Sequence, residues 1–160
     1  MSALTSHDTI QAFLAHKRIA MVGVSRDPKD FSVTLFREFC RRGYEVVPVN
    51  PKAATILEKP CFARVQDIQP PVEAVLLMTS PGVTEEVVHD CAAAGIKHVW
   101  MYGPGNGHVV SDQAVAFCRE HGIQVVAGEC PFMFFPKNGF HKLHGWVRKI
   151  AGSWPKGQAA

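Results

Sequence analysis

The stretch Arg18-Ile-Ala-Met-Val-Gly-Val-Ser25 limits what this chain can fold into more than any other. It is an unbroken apolar run ending at a glycine, the pattern of a strand buried on both faces rather than one with a wet side. Two-sided burial demands helices above and below the sheet. A helix is predicted from Ser32 to Arg42, with Val33, Phe36, Phe39 and Cys40 at helical spacing and Gly43 to end it. A second apolar strand, Glu45 to Val49, follows.

The alternation continues to the far end of the chain. Strand Ala74 to Met78 leads through Thr79-Ser-Pro-Gly82 into a helix with Val83, Val87 and Cys91 as its expected inner stripe and Gly95 as its stop. Strand His98 to Met101, loop Tyr102 to Gly107, helix Ser111 to His121 and strand Gln124 to Ala127 come next. A short helix opens the chain with Ile10, Phe13 and Leu14 on one face and Ser6 or Asp8 as cap. A last helix is expected from Asn138 to Ala151, with Phe140, Leu143, Val147 and Ile150 inward. Lys52 to Pro71 is the least regular part, with room for one helical turn near Val65 to Ile68. This spacing predicts a doubly wound, Rossmann-like α/β fold of five parallel strands in order 3-2-1-4-5, with N- and C-terminal helices. One domain through Ala151 and a loose tail from Gly152 are expected.

Composition narrows the class. At 160 residues, 47% hydrophobic and 19% charged, the chain reads as a globular domain with a core of its own. The net charge of +3 favours small anionic ligands weakly. Scattered basic residues without an aromatic-basic motif argue against nucleic acid. Lys137, Lys142, Arg148, Lys149 and Lys156 read as a solvated face. The apolar runs are too short for a bilayer, and the N-terminus shows no secretory signal. Five cysteines without a C-x-x-C pair point to a reducing, cytoplasmic setting.

Open α/β sheets bind ligands outside the carboxyl ends of their strands, where strand order reverses. Gly23 permits a tight turn there, and the next helix offers N–H donors and the positive end of its dipole. Ser25 and Ser32 add hydroxyls, and Arg26 and Lys29 add charge. An ordinary loop capped by Asp30 or Ser32 is the plainer alternative. Ser25 and Pro28 stand where G-x-G-x-x-G needs glycines. Asn50-Pro51-Lys52 ends the second strand, where proteins that read the ribose of NAD place an acid. Asn50 suits a sugar and Lys52 a phosphate, which favours a ligand with a phosphate on its ribose, coenzyme A or NADP.

Val22-Gly-Val-Ser25, Phe31-Ser32 and Gly43-Tyr-Glu-Val-Val-Pro-Val-Asn-Pro51 resemble the CoA-binding domain family. These are small Rossmann-like proteins similar to the N-terminal domain of the succinyl-CoA synthetase α subunit, and the resemblance runs from Arg18 to Pro131. It implies CoA or acyl-CoA as ligand, with Ser25, Arg26, Asp27 and Pro28 at the diphosphate and Lys52 near the ribose 3′-phosphate. It also implies Ser80, Pro81, Met101, Tyr102 and Gly103 along the rest of the groove, and it matches Cys130-Pro131 to the family's Cys-Pro after the last strand. The glycine-rich loop Tyr102 to Gly107 and the run Phe132 to Pro136 depart from its pattern.

Glu129, Cys130, His141 and His144 follow no metal-ligand spacing, so no metal is expected. Cys130 reads first as a buried thiol, with a reactive thiol as the alternative. Phe132, Phe134 and Phe135 read as cover for the core or a subunit contact, with a wall for the pantetheine arm as the alternative. No nucleophile elbow, H-E-x-x-H pair or Ser-His-Asp order is present. The expected function is therefore CoA binding without catalysis. The alternatives are an NADP-linked oxidoreductase using the same pocket, and an interaction module with a vestigial site. Self-association and a partner protein are both left open.

Overall fold

Residues 5–103 and 110–135 are described by the computed structural model of the chain. Strands β1 (Arg18–Val22) and β2 (Glu45–Val49) come first, then a small antiparallel hairpin of β3 (Thr55–Ile56) and β4 (Lys59–Pro60). Strands β5 (Ala74–Leu77), β6 (His98–Tyr102) and β7 (Gln124–Glu129) complete a five-stranded parallel sheet. The helices are α1 (His7–Leu14), α2 (Phe31–Arg41), α3 (Pro81–Ala93) and α4 (Asp112–Glu120). Side chains alternate across each strand, so Ile19 and Met21 join a core with α1 and α2. Ala20 and Val22 join the opposite core with α3 and α4. The fold is the predicted doubly wound, Rossmann-like α/β sheet.

Its strand order differs from the expected 3-2-1-4-5. The sheet runs β2-β1-β5-β6-β7, so the third long strand lies against the first and not outside the second. Pro48 gives the reason. Its carbonyl points away from β1 and accepts from Phe62 N–H at 3.1 Å, so its missing N–H lies on that same outer side. A complete strand ladder cannot form there, which makes β2 an edge strand. Ala74 to Leu77, buried at every residue, takes the central place instead.

The α3 register also departs from expectation. Thr84, Val88 and Cys91 face the core, while Val83 is 44% exposed and Val87 half-buried. Thr84 turns inward without penalty because its hydroxyl pairs with that of Thr79 at 2.7 Å. Helix starts follow local chemistry: Ser6 caps α1, Asp30 caps α2 and Ser111 caps α4. The turn near Val65 is a short 3-10 helix, Val65–Asp67. The helix expected from Asn138 to Ala151, the tail, and His141 and His144 lie outside the described residues, as does most of the glycine-rich loop. No helix among the described residues is long and apolar enough to cross a membrane.

Candidate functional site

Strand order reverses between β1 and β5, and the two strand ends approach closely there. Gly23 sits just past β1 at φ +91°, and a Cβ on it would lie 2.9 Å from the Met78 carbonyl oxygen beyond β5. Beside this point is a groove of about 430 Å³. Val22, Gly23, Val49, Asn50, Pro51 and Lys52 line it from the sheet. Ala63, Arg64 and Val65 line it from the segment after β4, and Thr79, Val83, Glu86, Val87 and Asp90 line it from α3 and the loop before that helix. The groove thus has valine walls and charged edges, the mixture that suits a flat heterocycle carrying phosphate.

Asn50 fixes the sheet side. Its Nδ2 donates to Val24 O at 3.1 Å, its Oδ1 accepts from Lys52 N–H at 2.8 Å, and its backbone N–H donates to Phe62 O at 2.9 Å. One side chain therefore clips the loop after β1 to the loop after β2 and presents Lys52, which is exposed. A parallel bridge between Val49 and Phe62 brings Ala63 and Arg64 alongside Asn50 and Pro51.

The loop from Gly23 to Ser32 is organised by its own polar groups. Ser25 N–H donates to Ser32 Oγ at 2.9 Å, Asp27 N–H to Ser25 Oγ at 3.0 Å, and Lys29 N–H to Asp27 Oδ1 at 2.9 Å. Asp30 Oδ1 accepts from Ser32 N–H at 2.8 Å, so a carboxylate already stands at the α2 N-terminus. Arg26, Asp27 and Pro28 are exposed along this loop, and Ser25 is half-buried.

Ser80 and Pro81 start α3 and are exposed beside Thr79. Met101 is wholly buried in the core on the α3 and α4 side, so its side chain faces no groove. Gly103 is buried, and Tyr102 is half-buried with its ring 5.4 Å from Phe31. Burial, with a hydrogen bond to Cys130, pushes the Tyr102 hydroxyl up from its usual value. Cys130 is 3% exposed, in keeping with a packed thiol. Phe132 meets Phe31 at a tilt and Phe135 meets Phe39 edge-on, so the phenylalanine run covers the α2 side of the core.

Of the predicted residues, Gly23, Asn50, Pro51 and Lys52 share one groove, with the Ser25 to Ser32 loop and Ser80 and Pro81 flanking it. Met101, Tyr102 and Gly103 belong two strands away. The groove also holds residues that sequence reasoning passed over: Arg64, Val65, Val83, Glu86, Val87 and Asp90. Arg64 Nη2 meets Asp90 Oδ1 at 2.6 Å and its Nε meets Oδ2 at 3.3 Å, while Gln66 Nε2 donates to Oδ1 at 3.2 Å. The Arg64 guanidinium holds the Asp90 carboxyl below its ordinary value, with burial opposing. Val83 and Val87 had a sequence signal, since the pairs Val83/Val87 and Thr84/Val88 put two neighbouring stripes on α3, of which only one can face the core. Arg64 had none, lying in the least regular part of the chain. Among the described residues, no group of three or more His, Cys, Asp or Glu is placed to hold a metal.

Known proteins resemble the chain in sequence and fold. The ADP-forming acetate–CoA ligase II of Archaeoglobus fulgidus is 25% identical over 132 residues, 78% of this chain and 20% of the ligase. The chain thus spans about a fifth of that relative's length. An uncharacterized Bacillus subtilis protein, YneT, is 28% identical over 71% of this chain and 82% of its own. A solved hypothetical protein from Pyrococcus horikoshii superposes with a TM-score of 0.72 at 28% identity, covering 82% of this chain and 94% of that one. The CoA binding domain model matches residues 17–136, which take in the whole sheet and every wall of the groove, and the chain belongs to that family.

Proposed function

We propose that the chain binds coenzyme A, free or as an acyl thioester, across the carboxyl edge of its sheet. The observation that carries this reading is the groove between Lys52 and α3 in a CoA binding domain. The adenine lies against Val83 and Val87, and the ribose 3′-phosphate meets Lys52. The diphosphate lies along Ser25, Arg26, Asp27 and Pro28, within reach of Ser32. The pantetheine arm passes Ser80 and Pro81 toward Tyr102 and Gly103. Neighbouring strands are about 4.8 Å apart, so the two steps from β1 to β6 span about 10 Å, a distance the arm bridges easily.

In this reading the protein holds and presents its ligand as a separate module, and chemistry on the acyl group belongs to a partner. None of the described cysteines forms a disulfide, which suits a reducing, cytoplasmic setting.

Titration calorimetry on Lys52→Ala tests the placement. Hydrogen bonds to charged groups contribute about 1.5–3 kcal/mol, so CoA affinity should fall roughly tenfold or more. Affinity for 3′-dephospho-CoA should stay near that of the wild type. Equal losses for both ligands would remove Lys52 from the 3′-phosphate.

A further inference from the structure

Resting on the CoA reading, we infer that Arg64 is a second ligand for the ribose 3′-phosphate, held in reserve by Asp90 and released to the phosphate when the nucleotide enters. Arg64 and Asp90 both line the groove, so their ion pair is part of the wall that an entering nucleotide would meet. The pair is two-pronged, at 2.6 and 3.3 Å, and uses the edge of the guanidinium that would otherwise fork onto a phosphate. Asp90 keeps a partner when Arg64 leaves, since Gln66 donates to it at 3.2 Å. The Arg64 side chain is 59% exposed, so a rotation toward the groove disturbs no core packing.

Position favours the exchange. The bridge from Val49 to Phe62 brings the segment carrying Arg64 beside the turn that carries Lys52, and both residues line the same groove. While the pair is closed, Glu86 and Asp90 on α3 offset Lys52 and Arg64, and the groove offers little net attraction to an anion. A dianionic phosphate offers Arg64 more charge than one carboxylate does and draws it across. Lys52 alone makes a cation site, whereas Lys52 with a freed Arg64 distinguishes a ribose phosphate from a ribose hydroxyl.

The test is a double-mutant cycle read by calorimetry with CoA and 3′-dephospho-CoA. Arg64→Gln, at an exposed position, should weaken CoA about tenfold and leave 3′-dephospho-CoA unchanged. Asp90→Asn should tighten CoA severalfold, and most of that gain should vanish in the Arg64→Gln background. If Arg64→Gln weakens both ligands equally or neither, the inference is overturned while CoA binding stands. It is overturned as well if Asp90→Asn gives the same gain with and without Arg64, because the carboxylate then acts only through its field. If the wild type binds neither ligand, the CoA reading itself fails and takes this inference with it.

Discussion

Gly23 shows how one residue joins fold to site. Its φ of +91° places it where side chains other than glycine's are rarely found, and Met78 O and Thr79 Cγ2 fill the space a Cβ would need. Left-handed strain of about 1–2 kcal/mol and the cost of overpacking add, so Gly23→Ala should destabilise by at least about 2 kcal/mol in urea unfolding. Gly43, at φ +89° with nothing within 4 Å, gives the contrast. Gly43→Ala should cost only the strain, about 1 kcal/mol, and equal losses at the two positions would contradict this account. The need for glycine after the first strand was legible from sequence, but its crowding by β5 was not, because that contact depends on strand order. Asn50 was legible as a residue of the strand edge and not as a clip: its carboxamide joins two loops whose proximity only the fold creates.

At the scale of elements, the alternation of strand and helix was legible because two-sided burial leaves continuous apolar runs. The strand order was misread although Pro48 carried the signal, since a proline facing outward is tolerable only on an edge. The α3 register was misread because Thr84 looked polar, and its buried partner Thr79 lies across a turn. Those residues shape the site, as the same rotation that buries Thr84 turns Val83 and Val87 into the groove.

The opposite end of the sheet titrates. His98 begins β6, with its ring 4.7 Å from that of His16, and His16 lies 3.8 Å from Glu73. Burial first, then the charge of His16, lowers the His98 pKa from its usual 6.5, with Glu73 opposing. Its Nδ1 is buried with no hydrogen-bond partner among the described residues, so an imidazolium there would carry an unmet donor. A depressed folded pKa means that the unfolded chain binds the proton more readily. Stability is then full above the unfolded value, near 6.5, and is lost as pH falls through the lower folded value. The thermal midpoint should therefore drop between about pH 7 and pH 5, and less steeply in His98→Gln. Parallel profiles for the two proteins would show that His98 is not the group responsible.

For the molecule as a whole, the sheet sets two ends with different duties. The amino ends carry His98 with His16 and Glu73 beside it, and the carboxyl ends carry the groove, the loops and the switch point. Of the groove, sequence revealed the sheet-borne half, since Gly23 and Asn50-Pro51-Lys52 adjoin strands whose pattern is strong. The half built by Arg64, Val83, Glu86, Val87 and Asp90 was hidden, because a rim made by an irregular segment and one helix face has no periodicity of its own. The missing glycines and the missing acid turned the reading from NAD toward CoA, and the family match falls on the same residues. Direct titration of the wild-type chain with CoA, NADP and NAD tests that claim most sharply. Saturable binding of CoA, with a rise in thermal midpoint that NADP and NAD do not match, is the predicted result. Binding of NADP as tight as that of CoA, or no heat with CoA, would contradict it.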